Sequence, residues 1–121
     1  QSVRHHVRIG MRLPLHLGAP GRVILAFSGE AGIIYEEIRR QGFHISMGER
    51  EPQVSSVAAP VFGLNWRLLG SICISGPTSR LTEEVLTNHA RRVMDAANRL
   101  SYALAGERSD DTPNVVSTWH P

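Results

Sequence analysis

The sequence contains no lysine: its 13 basic side chains are all arginines, set against 11 acidic ones for a net charge of +2. They are dispersed rather than gathered in runs, so the basic footprint that nucleic-acid binding needs is missing. Cysteine occurs once, at Cys73, which excludes an internal disulfide and fits a reducing compartment. No run of ~18 apolar residues is present, and no signal-peptide pattern opens the chain. The expectation is a cytoplasmic protein without a membrane segment.

The motifs of common catalytic chemistries are missing as well. There is no Walker loop, GxGxxG, HExxH or nucleophile elbow, and the six histidines show no metal-ligand spacing. His5 and His6 are adjacent, and neighbouring strand residues point to opposite faces, so the pair does not readily share an ion. A nucleophilic Cys73 would need a histidine such as His16 or His44 brought to it by the fold. Neither an enzyme, a cofactor nor a metal site is expected.

What is present describes one soluble domain. With 121 residues, 41% apolar and 20% charged, the chain can bury a sizeable core but is too short for two. It opens at Gln1 in strand-like sequence, Val3, His5, Val7 and Ile9 alternating with polar residues up to Gly10, and is expected to be a piece of a longer protein. Pro20, after Gly18-Ala19, suits the start of a helix through the apolar run Val23 to Phe27. Such a start aims backbone N–H groups at whatever precedes it, a potential anion site. A second helix is expected with Ile34, Tyr35 and Ile38 on one face, ending at Gly42. Phe43 to Met47 suits a short strand, and the charged Gly48 to Pro52 reads as a solvated connection.

Val54 to Phe62 and Leu68 to Ser75 are strands that should pair as an antiparallel hairpin across Gly63 to Arg67. In the first, Pro60 suggests an edge or a bulge. In the second, Ile72 and Ile74 alternate with Ser71, Cys73 and Ser75. The isoleucine face belongs against a core; the narrow polar face suits the floor of a small pocket, which Ser56 joins if the register allows. Gly76-Pro77 ends the strand, and Thr78, Ser79 or Thr82 can cap the helix that follows. There Leu86, Ala90, Val93, Ala97, Leu100 and Leu104 recur at steps of four and three, one apolar stripe ending near Gly106. The stripe covers a sheet by default, and its alanines also permit packing between subunits. Residues 107–121 read as a polar, poorly ordered tail after a domain over residues 1–106.

Ser75-Gly76-Pro77-Thr78-Ser79-Arg80-Leu81-Thr82, preceded by Ala58-Ala59-Pro60-Val61-Phe62, resembles the effector-binding domain of IclR-type bacterial transcription regulators. Gly10 through Ala26, with Leu13-Pro14-Leu15-His16 and Gly21, is similar to the same domain's turn and first helix, and the likeness runs from about Val3 to Gly106. The resemblance implies a GAF-like α+β fold, a curved antiparallel sheet with helices packed against it. It also implies a small organic effector, a carboxylate among the candidates, and assembly as a homodimer or tetramer. DNA would be bound only through an N-terminal winged helix-turn-helix that this sequence does not include. Carried onto this chain, the turn whose amides meet the effector falls on Ala19 and Pro20, and Pro20 has no amide. A position often acidic is Ser46, two small polar positions are Ser56 and Cys73, and a pocket serine matches Ser75. The segment between Phe27 and Ile34 is shorter than the family pattern. The rival reading is a stand-alone ligand-binding or interaction module without DNA-binding function.

Overall fold

The computed structural model describes residues 9, 10 and 12–109; the expected strand from Val3 and the His5-His6 pair lie outside the described residues. Helices α1 (Ala19–Phe27) and α2 (Ile33–Gln41) come first. Strands β1 (His44–Met47), β2 (Val54–Phe62) and β3 (Leu68–Pro77) follow, and α3 (Glu83–Ser109) closes the described chain. The strands form one antiparallel sheet in the order β1-β2-β3.

Local chemistry sets most of these boundaries. Gly18 is the N-cap of α1 and Pro20 stands in its first turn, where a missing N–H costs nothing. Gly42 ends α2 in the left-handed conformation at φ 87°, which glycine adopts without steric penalty. Thr82 Oγ1 accepts the Val85 N–H at 3.3 Å and so caps α3. The helix runs through Gly106 to Ser109, three residues beyond the expected end.

The central strand β2 is buried along both faces from Val54 to Val61. One face, with Val57, Ala59 and Val61, packs on the α3 stripe of Leu86, Ala90, Val93, Ala97 and Leu104. On the other, Ala58 meets Ala19, Val23 and Ala26 of α1 and Ile38 of α2. Pro60 is tolerated in a central strand because β1 ends opposite Ala58, leaving a ladder on the β3 side only. An irregularity does follow, between Val61 and Phe62. The Phe62 N–H beyond it donates to Ser101 Oγ of α3 at 2.9 Å, so this backbone donor is satisfied outside the ladder.

Two expected faces differ from the observed ones. Ile72 joins the α3 core, but Ile74 is 37% exposed, because α3 lies along β2 and covers the outer strand only in part. In α2, Ile34 is exposed while Tyr35 and Ile38 pack, since α2 rests mainly on α1 and reaches the sheet only near Ala58. Arg39 turns inward and donates to the carbonyls of Ala26 and Glu30, closing the C-terminal end of α1.

Candidate functional site

Register decides which polar residues meet. Ser46 of β1 stands opposite Ser56 of β2, and Ser56 stands opposite Ser75 of β3. Three serines, one per strand, therefore form a row across the sheet at strand spacings of ~4.8 Å. Cys73 pairs with Ala58, two residues along on the same face. This face points toward the start of α1 and floors a pocket of about 290 Å³.

The pocket is walled by Pro20, Gly21 and Ile24 of α1, by a strap of chain including Leu13, Pro14, Leu15 and Leu17, and by Arg50 and Glu51 of the β1–β2 connection. Its walls are mostly apolar and its few polar groups converge on the floor and one side, the usual make-up of a small-molecule site. The strap lies directly against α1: a Cβ on Gly21 would stand 2.2 Å from the Leu15 carbonyl oxygen, so only glycine permits this approach. Ser71 Oγ donates to the Pro20 carbonyl at 3.2 Å and ties β3 to the same helix end.

Of the residues expected to form a site, Pro20, Ser46, Ser56, Cys73 and Ser75 line this one pocket. Ala19 does not; its side chain is buried in the α1–α2 cluster. Arg50 and Glu51 belong to a stretch whose sequence reads as a solvated connection, yet both line the pocket. Their side chains lie 3.7 Å apart, 21% and 37% exposed, and Glu51 Oε1 is buried without a hydrogen-bond partner. Alternation of charge in that loop carries no signal of inward placement, so sequence patterning could not have found them.

The potential anion site at the start of α1 is filled by the chain itself. Glu49 Oε1 accepts the Gly18 N–H at 3.2 Å, and Glu49 Oε2 pairs with Arg22 Nη1 at 3.4 Å. Pro20 offers no amide there, so a side-chain carboxylate neutralises the helix end.

The thiol is poorly suited to nucleophilic attack. Cys73 is solvent-accessible because the pocket is open, yet the surrounding walls desolvate it and push its pKa up, only partly opposed by the charge of Arg50. A raised pKa keeps it protonated near neutral pH. His44 shares its face but stands across the intervening strand, ~9–10 Å away by strand spacing and outside hydrogen-bond reach. No group of three or more His, Cys, Asp or Glu among the described residues is placed to hold a metal ion. None of the described helices is long and apolar enough to cross a membrane.

A sheet held between one long helix and a helical pair, with a pocket on the pair's side, is the architecture of a GAF-like α+β domain. Residues 33–102 match the family described as bacterial transcriptional regulator IclR, C-terminal. The chain belongs to this family. It is 31% identical to the HTH-type transcriptional regulator XynR of Escherichia coli, over 80% of this chain and 48% of that protein. The crystal structure of the Agobacterium tumefaciens repressor BlcR, 25% identical, superposes with a TM-score of 0.71 over 84% of this chain and 51% of that one. The C-terminal domain of the Escherichia coli regulator KdgR, 27% identical, superposes with a TM-score of 0.67 over 80% of this chain and 74% of that one. The chain spans about half the length of the curated relatives it matches.

Proposed function

We propose that this chain is the small-molecule-sensing and oligomerising part of a bacterial transcription regulator, with residues 1–106 as its effector-binding unit. DNA contact would be left to a domain upstream. The observation that carries the reading is the convergence of Ser46, Ser56, Ser75 and Cys73 on the floor of one pocket in a chain of this family. The apolar walls suit a small organic body. The hydroxyl row and Arg50 suit a polar or carboxylate head, each modest contact contributing ~1 kcal/mol. A ligand shifts a two-state assembly only by its differential affinity for the two states, so the strap and the β1–β2 connection, the walls outside the sheet, are the natural places for that difference.

Calorimetric titration with a panel of short aliphatic and aromatic acids and their neutral analogues tests this. At least one compound should bind the wild-type chain. Cys73→Trp, which fills the pocket, should abolish binding while the melting temperature stays within a few degrees. Ser75→Ala should weaken binding several-fold. Binding unchanged in Cys73→Trp would move the site elsewhere.

A further inference from the structure

Arg22 and Glu49 line no part of the pocket, yet between them they touch every wall that is not sheet. Arg22 Nε donates to the His16 carbonyl of the strap at 2.9 Å. Its Nη1 pairs with Glu49 of the β1–β2 connection at 3.4 Å, and Glu49 holds the Gly18 N–H, where strap becomes helix. The pair is partly buried, with side chains 20% and 26% exposed, so salt screens it less than a surface pair. Besides these bonds, the described contacts that hold the strap are its close approach to Gly21 of α1 and one turn of its own. Its own backbone bond among the described residues is a long one, Leu17 N–H to Pro14 O at 3.4 Å, and Leu13 and Leu15 are 39% and 47% exposed.

We propose that Arg22 and Glu49 form a clasp that sets how far the strap and the β1–β2 connection part, and thereby the size of molecule the pocket admits. Both are positioning residues; neither touches the ligand. The inference rests on the pocket being the ligand site, but its test needs no ligand, because the sole cysteine stands on the pocket floor. A clasp that opens as expected while no effector binds would sink the ligand reading alone.

The alkylation rate of Cys73 is measured in the full chain at fixed pH with iodoacetamide, which is small, and with fluorescein maleimide, which is bulky. The variants are Arg22→Gln, Glu49→Gln, the double variant and Arg22→Lys. The bulky reagent should react about threefold faster or more in either Gln variant, with iodoacetamide nearly unchanged, as expected of a local opening. The double variant should match the singles, since the two groups act as one unit. Arg22→Lys, which keeps the charge but cannot hold both partners through a fork, should fall between. Circular dichroism and melting accompany each variant, and the isosteric Glu49→Gln keeps the test alive if an Arg22 variant does not fold. An unchanged bulky-reagent rate in folded Glu49→Gln overturns the clasp. Equal acceleration of both reagents also overturns it, since that marks general loosening of the fold.

Discussion

His44 is held in an environment that disfavours its charged form. It sits on β1 with Nε2 buried and without a hydrogen bond, 3.9 Å from Glu49 Oε2. Burial lowers its pKa below the ordinary 6.5; the carboxylate of Glu49 opposes this and the charge of Arg22 adds to it. A lowered folded-state pKa means that the unfolded chain binds the proton more readily. Stability conferred by neutral His44 is therefore complete above the unfolded value and is lost as the pH falls from there through the lower folded value. Urea denaturation between pH ~7.5 and ~5.5 should show the wild type losing stability on acidification, with a shallower slope in His44→Gln. Identical slopes would mean that His44 does not titrate differently in the two states. At this scale, the sequence showed Cys73 and Ser75 through strict alternation with isoleucine, and Ser56 only subject to register. Ser46 came through family resemblance alone. Arg50, Glu51, Arg22 and Glu49 were illegible because their placement is decided by how a loop folds back over a helix end, which no local periodicity records.

Among the elements, α3 and β2 were the most legible, and each carries a lesson about the other. The stripe of α3 predicted a covering helix, and the packing of Val57, Ala59 and Val61 on Leu86, Ala90, Val93 and Ala97 shows what it covers. β2 reads as alternating small and branched residues, yet both of its faces are buried: small side chains on one face are what allow α1 to approach as closely as Ala58 on Ala19 and Val23. Ala97, 1% exposed, belongs to the core rather than to a subunit contact. Ala97→Leu should thus overpack the α3–β2 seam and cost ~1–3 kcal/mol of stability, read by denaturant unfolding. A fully stable Ala97→Leu with altered self-association would return the stripe to an intermolecular role.

For the whole molecule, commitment of the α3 stripe to the sheet means that an assembly of this domain must use other surfaces. We propose that the face bearing Ser46, Ser56, Cys73 and Ser75 binds a small organic molecule beneath the start of α1. The most direct measurement is a titration of the isotopically labelled chain, followed by amide NMR, with a compound that binds by calorimetry. The largest shifts should fall on residues 13–18, 46, 56, 73 and 75 and on the Arg50–Glu51 segment, with α3 little changed. Shifts concentrated instead along α3, around the groove of Phe43, Ala90 and Met94, would contradict the proposal.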